Sequence, residues 1–217
     1  MRKLFGFTLA EVLVTLGIIG VVSAMTVPTL MQNYQRQSFV TQLHKVYNEM
    51  SQALLRYQTD RNALNFKEAG LNGEDAVADF VRNYFKVVQD CGATQTPCFP
   101  STSTYHKLDG TTITAWYGKR HFALASGASI ATFYRGDNNI TSELVVDVNG
   151  PKGPNIAGRD LFMLYIYNTG EIDDLTGISP TDAVRDTAYS TYCQSNTPAN
   201  YHGCFGKILK DNWEMTY

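Results

Sequence analysis

The most conspicuous feature of the hydropathy pattern is an apolar block with no period. From Phe7 to Val27 the chain reads FTLAEVLVTLGIIGVVSAMTV, and Glu11 is its one ionisable side chain. At 1.5 Å per residue a helix over this stretch is about 30 Å long, the thickness of a hydrocarbon core. Arg2 and Lys3 lie just before it, which predicts that the short N-terminal end stays inside and the rest is exported. Beyond Pro28 the pattern becomes periodic. Phe39, Leu43, Val46, Tyr47, Met50, Leu54 and Tyr57 recur at i, i+3 and i+4, the spacing of an amphipathic helix running to about Asp60. Pro28 has no N–H and crowds the preceding turn, so a kink is expected there. Gly17 and Gly20 weaken the same region by about 1 kcal/mol each relative to Ala.

Residues 61–73 hold Gly70, Asn72 and Gly73 and read as a loop. A second amphipathic helix is predicted over Glu74–Val88, stopping before Cys91-Gly92, with Pro97 and Pro100 enforcing a loop. Strand signals then take over. Thr111–Tyr117, the pair His121–Ser126 and Ala128–Tyr134 turning at Gly127, Leu144–Val148 and Leu161–Tyr167 are rich in β-branched and aromatic residues. From Gly170 the chain is loop-rich, with short helices expected near Thr181–Tyr189 and Phe205–Leu209. The expected fold class is α+β: a long N-terminal helix packed into a head with a mostly antiparallel sheet.

Composition narrows the class. With 217 residues, 44% hydrophobic and 18% charged, this is ordinary globular material, neither disordered nor collagen-like. A mean hydropathy of −0.20 is too polar for a multi-span membrane protein. The formal net charge of −2 argues against strong nucleic-acid binding, which depends on an excess of Lys and Arg. All four cysteines, Cys91, Cys98, Cys193 and Cys204, fall in the exported part, which suggests two disulfides formed in an oxidising compartment. Four cysteines allow three pairings. Proximity along the chain favours Cys91–Cys98 and Cys193–Cys204, loops whose closure contributes roughly 2–3 kcal/mol each in the chain-entropy model.

A carboxylate inside a spanning helix is costly and calls for a partner. A plain signal peptide, with small residues at Ser23 and Ala24, or a plain anchor leaves Glu11 without one. The stretch Lys3-Leu4-Phe5-Gly6-Phe7-Thr8-Leu9-Ala10-Glu11 resembles the processing site of type IV pilins and the related pseudopilins of type II secretion and DNA-uptake systems. There a short basic leader ends in Gly, Phe follows, and Glu stands four positions after that Phe. Gly6, Phe7 and Glu11 match all three, and the match covers residues 1–28 only.

The resemblance implies residues 1–6 as a cytoplasmic leader, 7–27 as a transmembrane and assembly helix, 28–60 as its amphipathic continuation, and 61–217 as the head. It further implies cutting between Gly6 and Phe7 by a membrane-embedded prepilin peptidase, which then methylates the new amine. Losing Arg2 and Lys3 takes Lys+Arg from 18 to 16 against 20 acids, a side-chain charge of −4. The implied partners are identical or related pilin subunits, the peptidase, an inner-membrane assembly platform and the membrane. Glu11 is then the counter-charge to a Phe7 amine, on its own helix or a neighbour's. The expected role is structural, not enzymatic. The competing expectation is a secreted or anchored α+β hydrolase or carbohydrate-binding protein.

In the head the least ordinary segment is 147–160, DVNGPKGPNIAGRD, joining two strands. Asp147, Asn149, Asn155 and Asp160 supply oxygens of the kind a hard cation takes, so Ca²⁺ is the candidate cofactor. The same residues suit a rigid turn in which Asx side chains bond their own backbone. His44, His106, His121 and His202 are scattered, and no zinc, P-loop or G-x-S-x-G motif is present.

Overall fold

The computed structural model describes residue 6 and residues 8–137, 139–174 and 181–217. Its first element is α1 (Leu9–Asp60), with Pro28 inside the helix. The chain forms two compact units dividing between Ser38 and Phe39. In the first, every described residue up to Gln35 is exposed. Leu13, Ile18, Ile19 and Met25 each show more than half of their surface. Among the described residues this apolar stretch is unburied, and it is long and apolar enough to cross a membrane.

In the second unit α1 becomes amphipathic in fact. Val40, Leu43, Val46, Met50, Ala53, Leu54 and Tyr57 are its buried residues, one face at helical spacing. Each large apolar side chain contributes roughly 1.5–3 kcal/mol by leaving water. The second helix, α2 (Glu74–Tyr84), buries Val77, Ala78, Phe80 and Val81. It ends earlier than its periodicity predicts. Phe85 turns extended, and Val87–Gly92 becomes strand β1.

Six strands follow one another in an antiparallel meander: β1, β2 (Arg120–Leu124), β3 (Ser129–Tyr134), β4 (Ile140–Asp147), β5 (Leu161–Tyr167) and β6 (Ile172–Asp173). β2 and β3 form the expected hairpin, and β5 has the expected bounds. β4 starts four residues earlier than its composition suggests. The expected strand Thr111–Tyr117 does not form; Thr112 makes a single bridge to His106, and its neighbours run as irregular chain. After the sheet come α3 (Asp182–Ala188), capped by the Thr181 side chain, a π-helical turn over Tyr189–Cys193, and α4 (Cys204–Lys210).

β4 and β5 are buried along their whole length, because both faces of the sheet are covered. On one face Leu144, Val146, Phe162, Leu164, Ile166, Phe122 and Ile130 share a core with the buried faces of α1 and α2. On the other, Val145, Met163, Tyr165 and Ala131 pack beneath irregular chain carrying Phe99, Tyr105, Ile113, Ala157 and Tyr201. The register Leu144↔Leu164 and Val146↔Phe162 sends successive side chains to opposite cores, as a period of two requires. Lys107 pins the loop layer. It is 2% exposed, and its Nζ donates to the carbonyls of Tyr192, Thr197 and Asn200.

Candidate functional site

The N-terminal site is built on the first turn of α1. Thr8 precedes the helix, and its N–H and Oγ1 both donate to Glu11 Oε2 at 2.8 Å. The Glu11 N–H donates back to Thr8 Oγ1 at 3.2 Å. This is a capping box: the two residues satisfy two N–H groups that the helix start leaves open. Thr followed three residues later by Glu before an apolar run is legible in the sequence. Glu11 therefore has a partner within its own chain before any assembly. Gly6 is exposed, and nothing lies within 4 Å of where a Cβ would stand. Phe7 lies outside the described residues.

Both disulfides have the connectivity that proximity favours. Cys91 bonds Cys98 with Cα atoms 6.2 Å apart, and Cys193 bonds Cys204 with Cα atoms 5.1 Å apart. The first ties the end of β1 to the Pro-rich loop. The second ties the π-helical turn to the start of α4. Gly158 lies against that second bridge: a Cβ there would stand 2.7 Å from Cys204 Sγ. The C-terminal tail is anchored besides, Trp213 stacking on His44 of α1 with centroids 4.0 Å apart.

The 147–160 loop brings its four candidate residues into one neighbourhood. Asp147 and Asp160 are both fully buried. Tyr105 OH donates to Asp147 Oδ2 at 2.6 Å, and the Asn149 N–H donates to Asp147 Oδ1 at 3.3 Å. The N–H groups of Asn155 and Ile156 donate to the two Asp160 oxygens at 2.8 and 2.7 Å. Desolvation pushes Asp147 up to about 8, the Tyr105 hydrogen bond opposing it and the Asp160 charge adding to it. Asp160 is raised for the same first reason. Asn149 Nδ2 donates to the Gly153 carbonyl at 3.1 Å, while the buried Oδ1 atoms of Asn149 and Asn155 have no hydrogen-bond partner among the described residues.

A polar cluster that sequence reasoning missed lies on the outer face of the sheet. Glu143 of β4 is 1% exposed, 3.5 Å from Arg135 and electrostatically coupled to Tyr165, Tyr201 and Tyr117. Burial pushes its carboxyl up to about 7, with Arg135 and a Tyr165 hydrogen bond opposing. His202, against Tyr165 OH at 3.3 Å, is held neutral, its pKa lowered by burial to about 4. No motif announces these residues, since a single Glu in a β-rich run looks like a solvated position.

The Glu143 shift has a sign that can be measured. Its folded pKa is raised, so its contribution is fully present below the unfolded value near 4.5 and is lost as pH rises through about 7. The loss is about 3 kcal/mol for a shift of this size. Glu143→Gln should match the native protein in urea unfolding at pH 4.5 and exceed it at pH 8. Equal stability of the two proteins at pH 8 would contradict the assignment.

A surface cleft of about 300 Å³ between α1 and the β2–β3 turn is lined by Lys45, Glu49, Arg56, Lys86 and Ser126 among others, with no His or Cys. A long N-terminal helix, bare and apolar in its first half and buried along one face in its second, with an antiparallel α+β head, defines a pilin-like architecture. Residues 1–27 match the family model described as the prokaryotic N-terminal methylation motif, the signature of type IV pilins and pseudopilins. No curated protein and no solved structure matches the chain.

Proposed function

We propose that the chain is the precursor of a structural subunit, a pilin or pseudopilin, of a type IV pilus-like or type II secretion filament. The observation that carries this reading is the coincidence of the methylation motif at residues 1–27 with a helix whose apolar N-terminal half is exposed among the described residues. Such a surface is stable in only two settings, a lipid bilayer or a bundle of like helices. A filament subunit passes from the first to the second.

Prepilin peptidase cuts between Gly6 and Phe7 and methylates the new amine; Gly6, without a Cβ, allows close backbone approach to the enzyme. The subunit waits in the inner membrane with its head outside the cytoplasm. An assembly platform then draws it into the filament, where α1 segments bundle and the heads face outward. Both disulfides lie in the head, consistent with oxidation in the periplasm. The subunit needs no catalytic group.

Mass spectrometry of the mature N-terminus tests the reading. The expected first residue is an N-methylated Phe7, and Gly6→Val should accumulate as uncut precursor in the membrane with no filaments. A mature start near Met25 would assign the segment to ordinary secretion, and normal maturation of Gly6→Val would remove the peptidase from the account.

A further inference from the structure

We propose that the cleft between α1 and the β2–β3 turn docks an extended peptide segment of a partner protein, in which acidic side chains flank a basic and an apolar one. Lys45, Glu49, Gln52 and Arg56 form one wall, a stripe along α1 at helical spacing. Lys86, Ala125 and Ser126 form the other, held together by the Ala125 N–H donating to the Lys86 carbonyl at 2.9 Å. The floor is apolar: Ala53, Phe85 and Leu124 line it and are buried. The cations of the cleft differ from most others in the second unit. Arg82, Arg120, Arg135, Arg185, Lys207 and Lys210 each pair with a carboxylate. Among the described residues Lys45, Arg56 and Lys86 pair with none, and Glu49 pairs with no cation. Three unpaired cations and one carboxylate around an apolar floor are complementary to a chain that is acidic at its ends and apolar within.

Spacing selects the occupant. At 1.5 Å per residue, Glu49, Ala53 and Arg56 lie about 6, 12 and 17 Å along α1 from Lys45. A single phosphate or carboxylate is too small to meet cations that far apart. An extended chain advances about 3.3 Å per residue and returns its side chains to one face at every second position. Its first, third, fifth and seventh residues then fall at about 0, 7, 13 and 20 Å. These match Lys45, Glu49, the apolar floor at Ala53, and Arg56 with the reach of its long side chain. Acid, base, apolar and acid is the complementary order. A nucleic-acid strand carries charge of one sign at every step, and Glu49 interrupts such a track. The cleft lies wholly in the second unit, so its occupancy does not depend on filament assembly.

The test uses the full-length chain in uncharged detergent micelles and the fluorescein-labelled peptide Glu-Ser-Lys-Ser-Leu-Ser-Glu, read by fluorescence anisotropy. Binding should saturate, and should weaken as salt rises from about 50 to 500 mM because exposed charges are screened. Lys45→Glu and Arg56→Glu, both at exposed positions, should keep the native melting temperature and each weaken binding by about fivefold or more. The native chain should take Glu-Ser-Glu-Ser-Leu-Ser-Glu less tightly than the first peptide, and Glu49→Lys should reverse that order. Non-specific attraction would favour the more acidic peptide in both chains. Absence of saturable binding by the native chain, or equal binding by a folded Arg56→Glu, would overturn the proposal. So would tighter binding of an oligothymidylate through the same cations, which would make the cleft a nucleic-acid face. Self-association of the native chain that is lost in Arg56→Glu would overturn it in favour of a second copy as occupant.

Discussion

Glu11→Leu is expected to be inserted and trimmed normally and then to fail to enter filaments. A carboxylate in hydrocarbon costs about 2–3 kcal/mol on insertion scales, so the substitution favours the membrane-bound form. Assembly is where it should lose. In the proposed filament the trimmed chain would begin with the Phe7 amine, four positions before Glu11 in the sequence, as a counter-charge to the carboxylate of its own or a neighbouring subunit. Removing one partner of a charge pair in low dielectric strands the other and costs about 3–5 kcal/mol.

The capping box adds a second role that a control separates. Glu11 Oε2 holds the Thr8 N–H and hydroxyl, and Gln at the same position keeps a capping bond without the charge. Filaments formed by Glu11→Gln but not by Glu11→Leu would assign the residue to the helix cap. Loss in both variants would assign it to the counter-charge. Filaments of native yield and length from Glu11→Leu would defeat both. Electron microscopy of sheared filaments, with an immunoblot for trimmed subunit, reads all three outcomes.

The largest loss of stability in the head is expected from Gly203→Ala. Gly203 has φ +85 and stands immediately before α4. An added Cβ would lie 2.4 Å from the Ala188 carbonyl oxygen, 2.5 Å from its carbon and 2.8 Å from the Tyr189 nitrogen. All three atoms are backbone, so no side chain can swing aside. The left-handed conformation costs an L residue roughly 1 kcal/mol by itself. With the forced separation of α3 from α4 the sum should reach about 3–5 kcal/mol. That corresponds to a fall in melting temperature of roughly 6–20 °C. An unchanged melting temperature, followed by near-UV circular dichroism, would show that the turn relaxes around the methyl group.

Elements specified by a local period were legible in the chain, and those specified by a distant partner were not. The amphipathic face from Val40 to Tyr57 repeats at helical spacing, which any core must accept. β5 reads LFMLYIY, apolar or aromatic at every position, and formed with its expected bounds. Val87 and Val88 also continue the apolar spacing of α2. The chain nevertheless leaves the helix, because the edge of β2 offers backbone pairing to Val87, Gln89 and Asp90. Thr111–Tyr117 has strand composition but finds no ladder. Ile113 and Trp116 pack instead on the outer face of the sheet, where burial of their side chains replaces strand pairing.

The sequence by itself determined the length and apolar character of the N-terminal segment and carried the Thr8–Glu11 capping pattern, and it favoured, without deciding, the two short-range cysteine pairs. All of these are relations among residues near one another along the chain, where helical geometry or loop length leaves few alternatives. Only the tertiary structure decided that the sheet is covered on both faces, and that decision changes the chemistry of particular residues. Glu143, Asp147 and Asp160 carry the same letters in any context. They became desolvated groups because irregular chain around Tyr105 and Tyr201, far off in sequence, closes over β4 and β5. Burial is a property of the whole packing, and a local pattern carries no record of which distant loop will exclude water from a given side chain.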